Sequence, residues 1–216
     1  MKRHWTDTLR ALHACPEAVA WARAYPTLEA AWAACDNPQW MLWYLGEVIR
    51  DDDETGKRIL VHVACLAARR VLQHNNDPRV VRAIEMAEQV ADGTLKGKAA
   101  WLNASEAGSA AWSAKANAGI AGENAAKSAA RATWSAAACT ALNAMTPAAS
   151  TAWNAAQAVI LAAACLTDRV WRVALDITYS SESAGRSAAQ AKYEVESAAC
   201  DDLRRCFPHP PPQKPS

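Results

Sequence analysis

GKAAWLNASEAGSAAWSAKANAGIAGENAAKSAARATWSAAACTALNAM, residues 97–145, is dominated by alanine and carries no alternating β-branched run. Alanine is the strongest helix former, and nothing in the stretch competes for strand, so helix is its default state. A weak repeat of eleven residues runs through it. Trp101, Trp112 and Trp134 sit in step, with Glu123 in the missing slot and Met145 in the next. Eleven residues close three helical turns, which keeps these side chains near one face. Small alanine surfaces let helices approach closely, and an occasional indole fills the gap between them. With Pro147 as a break, the region predicts helices over 97–118, 121–145 and 148–177, and a last one over 181–206.

Toward the N-terminus the texture changes. Residues 1–50 are dense in tryptophan and punctuated by Pro16, Pro26 and Pro38, each placed to start or stop a helix. Short helices are expected over 6–14, 16–24, 27–35 and 38–50. Thr27 and Asn37 are the candidate N-caps. NPQWMLWYLGEVI, residues 37–49, is apolar on nearly all sides and belongs in the middle of the packing. Residues 51–92 hold two amphipathic helices, over 56–74 and 79–91. The first has Ile59, Val63, Leu66 and Arg70 in helical step. The second has Val80, Ile84, Ala87 and Ala91, and Asp92-Gly93 closes it.

The fold class is therefore all-α, a bundle or irregular array of about 8–10 helices with an Ala/Trp-rich C-terminal half. One helical domain over 1–207 is expected, Trp-dense in 1–92 and Ala-rich in 94–207. A Pro-rich tail, PHPPPQKPS, follows over 208–216 and reads as extended and mobile.

Composition excludes several classes. The chain has 216 residues, ten Trp against one Phe and four Tyr, and a formal net charge of +1. A nucleic-acid binder shows a basic bias, and here the bases are scattered among acids. MKRHWTDTLR lacks the apolar core of a secretory signal. The most apolar late stretch, Thr151 to Leu166, is short for a bilayer crossing. No membrane segment is expected, and the location expected is the cytoplasm. Seven Cys without a C-x-x-C pair read as reduced thiols used as small core residues.

Catalytic and metal chemistry find little footing. His62 and Cys65 lie three apart on one helix, and Cys200, Cys206 and His209 make a second loose cluster. A zinc site needs three or four ligands, and a Cys–His nucleophile needs a third group to orient its base. No phosphate loop, nucleophile elbow or H-E-x-x-H is present. No enzyme activity, cofactor or metal is expected. A cysteine-dependent enzyme or sensor centred on Cys65 is the remaining catalytic alternative, decided by thiol titration.

The sharpest charge feature is Asp51-Asp52-Asp53-Glu54, between two predicted helices, with Asp201-Asp202 a smaller pair of the same kind. Their ordinary role is to favour the N-terminus of the following helix. Their functional reading is a partner-facing acidic patch that steers association with a basic cleft. Tryptophan likewise has two readings, core filler and interface hot spot. Trp5, near the free N-terminus, is the one expected to stay exposed.

CPEAVAWARAYPTLEAAWAACDNPQWMLWYL, from Cys15 to Leu45, carries a further signal. Its features are Cys15-Pro16, Trp21, the T-L-E-A-A-W of Thr27 to Trp32, Cys35 and Trp40-Met41-Leu42-Trp43. VHVACLAARRVL, the Ala/Trp tract and a closing D-D-L-R-R-C-F-P follow downstream. The chain, from about residue 9 to 208, resembles the immunity proteins of bacterial polymorphic-toxin systems, the Imm-5-like group. The resemblance implies an all-α cytoplasmic protein that neutralises a cognate toxin by binding it, without catalysis. The alternative function is a helical scaffold or adaptor with no toxin partner. Neither reading fixes an oligomeric state.

Overall fold

The computed structural model describes residues 4–117, 119–140, 147–176 and 181–211. Ten α-helices follow one another along these residues, with no strand among them. Four are short: α1 (Thr6–Ala11), α2 (Pro16–Ala22), α3 (Leu28–Ala34) and α4 (Pro38–Val48). Then come α5 (Glu54–Val71), α6 (Pro78–Ala91), α7 (Gly97–Ser113), α8 (Ile120–Thr140), α9 (Pro147–Asp176) and α10 (Ser181–Cys206).

Local chemistry sets the starts. Proline is the first residue of α2, α4, α6 and α9, where the missing N–H costs nothing. Thr27 Oγ1 accepts from Ala30 N–H at 3.2 Å, and Asn37 Oδ1 accepts from Gln39 and Trp40 N–H at 3.0 and 3.3 Å. Both expected caps are in place. Asp53 and Asp77 cap α5 and α6 in the same way. Helix α1 stops earlier than its sequence suggested. His13 adopts φ 63, Ala14 N–H reaches back to Leu9 C=O and His13 N–H to Arg10 C=O. That left-handed close is usually made by glycine, and histidine is among the few other residues that tolerate it.

Helices α5, α8 and α9 pack against one another at the centre. Helices α6 and α7 lie against α8, while α4 and α10 lie against α9. One continuous core runs from Leu9 to Leu203. It has two textures. Around α4, α5 and α6 it is filled by Met41, Leu42, Leu45, Leu60, Val61 and Ile84; between α8 and α9 it is almost all alanine. The alanine seam is closed by hydroxyls. Ser128 donates to Ala158 C=O at 2.8 Å and Ser135 to Thr151 C=O at 2.9 Å, so two buried polar groups tie α8 to α9.

The eleven-residue repeat does not make one stripe. Helix α7 runs into a 3-10 turn at Ala114–Asn117, and the chain folds back at Gly119, which caps α8 through its carbonyl. Trp112 and Trp134 therefore meet across two helices, ring centroids 5.4 Å apart. Gly108 permits that approach, since a Cβ there would lie 2.6 Å from Trp134 Nε1. Met145 lies outside the described residues, as does the end of the helix expected to reach it.

Helix α9 is longer than the apolar stretch read from sequence. Its segment 148–166, with mean hydropathy 1.3, is long and apolar enough to cross a bilayer. Half of it is buried, packed against α4, α5, α8 and α10.

The first part of the Pro-rich tail is held, where a mobile tail was expected. Trp32 Nε1 donates to Phe207 C=O at 3.0 Å, and the Tyr44 hydroxyl donates to Pro211 C=O at 3.0 Å. Burial pushes the Tyr44 phenol up to about 12, so it remains a donor across the neutral range. The stretch 212–216 lies outside the described residues.

Candidate functional site

A groove of about 560 Å³ opens where α4 crosses α9. Its floor is made of small residues, Gly46, Ala149, Ala152 and Ala156. A Cβ at Gly46 would stand 2.9 Å from Ala152 Cβ, so glycine sets how closely the helices cross and how deep the floor lies. Trp40 and Trp43 from α4 and Trp153 from α9 also line it. Trp40 is braced from behind by Trp21, whose ring centroid is 5.6 Å away. Trp153 is 63% exposed, where Trp32 in the core is 5% exposed. His13, Cys15, Gln39, Glu47 and Gln157 complete the lining. A concave, largely apolar surface with a few polar groups is the usual form of a binding site.

Beside it, a smaller apolar pocket of about 60 Å³ is lined by Trp5, Trp21, Trp32, Trp40 and Tyr44 among others. Trp5 does not stay exposed, as its sequence position suggested. Its Nε1 donates to Tyr25 C=O at 2.9 Å and its ring is half-buried, so the N-terminal indole is fastened down.

The acidic loop borders the groove. Asp51 Oδ1 accepts from Ala148 N–H at 3.2 Å, one residue before Ala149 on the groove floor. Asp51 thus serves the start of α9, and its own carbonyl accepts from the buried Lys57 Nζ at 2.6 Å. Asp53 caps α5, and Glu54 pairs with Lys57 at 2.9 Å. Asp52 pairs with Arg50 at 2.8 Å, and that hydrogen-bonded guanidinium holds its carboxyl below the usual range. All four side chains are exposed while each has a local partner. The loop is a structured acidic turn, and both of its sequence readings are compatible with that geometry.

Asp201 and Asp202 part company. Asp201 is exposed and pairs with Arg204 at 2.7 Å. Asp202 is 2% exposed and pairs with Arg70 of α5 and Arg205 of its own helix. A carboxylate enclosed in this way presents nothing to a partner, so Asp202 leaves the candidate surface and becomes a tie between α10 and α5.

His62 and Cys65 are not brought together as a site. His62 stands on the narrow open strip of α5, whereas Cys65 is fully buried and burial raises its thiol far above the ordinary value. Cys200 is pushed up to about 12 by burial, while Cys206 is half-buried and His209 exposed. No group of three metal-ligating side chains stands together among the described residues. Cys15, by contrast, is exposed at the groove. A thiol-specific reagent is therefore expected to label Cys15 first and Cys206 next, with Cys35, Cys65, Cys139, Cys165 and Cys200 reacting only on unfolding. Mass mapping of the labelled peptides checks the order, and fast labelling of Cys65 would restore the catalytic-thiol alternative.

Sequence reasoning did not single out Trp153, Glu47 or His13. No family model, curated protein or solved structure matches the chain.

Proposed function

We propose that this protein is a cytoplasmic immunity protein, which neutralises a toxin by binding it and performs no catalysis. The single observation that carries the binding surface is Trp153, an indole left 63% exposed beside Trp40 and Trp43 in a concave groove. Tryptophan is enriched among interface hot spots, and a rigid helical scaffold lowers the cost of ordering it. The toxin assignment is supported by the resemblance of residues 15–45 to the Imm-5-like group. Two residues of that motif, Trp40 and Trp43, line the groove. The exposed acids beside it supply long-range attraction for a basic partner.

The scaffold alternative has one observation of its own. Trp101 and Leu102 on α7, a helix outside the groove, are 41% and 42% exposed. A second apolar contact surface suits an adaptor.

The test is recovery of the tagged chain from its native host, followed by co-expression with the toxin-like gene encoded next to it. Immunity predicts a stoichiometric partner whose toxicity the chain suppresses, and loss of that protection in Trp153→Ala with the thermal unfolding curve unchanged. A folded bait that retains no neighbour-encoded partner, or a neighbour that kills equally with and without the chain, moves the assignment to the adaptor.

A further inference from the structure

We propose that the groove receives an arginine side chain presented by a partner protein, its guanidinium stacked on the tryptophan walls and paired with Glu47. This deepens the binding reading above and rests on it.

The lining sets the charge. Among the described residues, Glu47 is the only carboxylate that lines the groove, and no lysine or arginine does. Glu47 is half-buried and makes no ion pair or hydrogen bond among the described residues. Every carboxylate of the neighbouring loop, by contrast, has a partner. A half-buried acid left unpaired beside indoles has its charge free to take a cation that the rings also attract. The surroundings reinforce it, since residues 47–58 hold five acids against three bases, and Asp51 touches the helix that forms the floor.

The walls choose among cations. An indole is the best aromatic face for a cation, and the flat, weakly hydrated guanidinium stacks on it where an ammonium stays in water. The guanidinium also has donors to spare. Two suit a carboxylate such as Glu47, and the amide oxygens of Gln39 and Gln157 line the same groove. At about 560 Å³ the groove holds far more than one side chain, so the residues flanking the arginine enter with it. This room favours a protein segment over a free small guanidinium.

The test needs no toxin. The full chain, with its indole nitrogens isotopically labelled, is titrated with a short capped peptide carrying one central arginine. The same peptide with citrulline, a neutral isostere, and capped arginine alone serve as comparisons. Indole signals are assigned by single Trp→Phe variants. The expected result is joint movement of the Trp153, Trp40 and Trp43 signals, with arginine binding at least about tenfold tighter than citrulline. Glu47→Gln should remove that advantage while leaving the citrulline peptide and the unfolding curve unchanged. Equal binding of the two peptides, silence of these three indoles, or an unaffected Glu47→Gln variant would overturn the proposal. Capped arginine binding as tightly as the peptide would also overturn it, because the site would then serve a small molecule. Arginine selectivity in a chain that protects against no toxin would retire the immunity reading and leave the groove assignment standing.

Discussion

Replacing Trp32 with alanine is expected to lower the unfolding free energy by about 3–5 kcal/mol, the range for emptying an aromatic's place in a packed core. Trp32 is 5% exposed, packs its ring 6.1 Å from that of Tyr44, and borders the small apolar pocket already present there. The pocket would grow, because helix α3 is short and is anchored on this side chain. The loss also reaches the C-terminus. Without the indole N–H the Phe207 carbonyl loses its donor, and the chain end is held to this region by Tyr44 and by Arg204, which donates to the Cys35 carbonyl. Urea unfolding followed by helical circular dichroism measures the effect. Trp153→Ala, on an exposed site, should stay within about 0.5 kcal/mol of the parent. The contrast separates the two uses of tryptophan in this chain. Equal losses at both positions would mean that Trp153 also holds the fold, and would remove the argument that it is exposed for a partner.

The helices were legible because their boundary chemistry is local. Asn37-Pro38, Thr27 and Asp92-Gly93 act within four residues of themselves, and each sits where its chemistry places it. Helix α1 ended early because the left-handed residue is His13, where a glycine would have given the end away. The tryptophan motif Trp40-Met41-Leu42-Trp43 was legible as helix but not as surface. Met41 and Leu42 are buried, while Trp40 and Trp43 on either side of them line the groove. The groove itself was not legible. It brings α4 and α9 together, more than a hundred residues apart in sequence, and the eleven-residue repeat has no slot at 153 to draw attention to that indole. Charge pattern misled in a similar way. Asp201 and Asp202 are neighbours in sequence, but a helix turns them through about 100° relative to each other, so one faces solvent and the other the core.

The buried member of that pair gives the second large effect. Arg70→Ala is expected to cost about 2–4 kcal/mol, because it leaves the enclosed Asp202 carboxylate with Arg205 as its remaining partner. Arg205 is 74% exposed and held in water, so it compensates poorly for a guanidinium that comes up from α5. The full range for breaking a buried pair is not expected, since Arg70 is itself 28% exposed and screened on one side. Its Nη1 is buried with no hydrogen-bond partner, which further limits the net value of the pair over an apolar substitute. The informative experiment is therefore a double-mutant cycle on urea unfolding. Asp202→Ala should cost a similar amount, because it strands the Arg70 charge against α10. The combined Arg70→Ala/Asp202→Ala variant closes the cycle and should cost clearly less than the two single losses added together, since no uncompensated charge remains. A coupling of at least about 1 kcal/mol between the two positions is the expected outcome. Simple additivity would show that α10 is held by its buried apolar residues, Val195, Ala199 and Leu203 among them, with the ion pair a bystander at the edge of that packing. With coupling confirmed, Asp202 acts as a register pin. It fixes where along α5 the last helix settles, and so where Phe207 and Pro211 meet Trp32 and Tyr44.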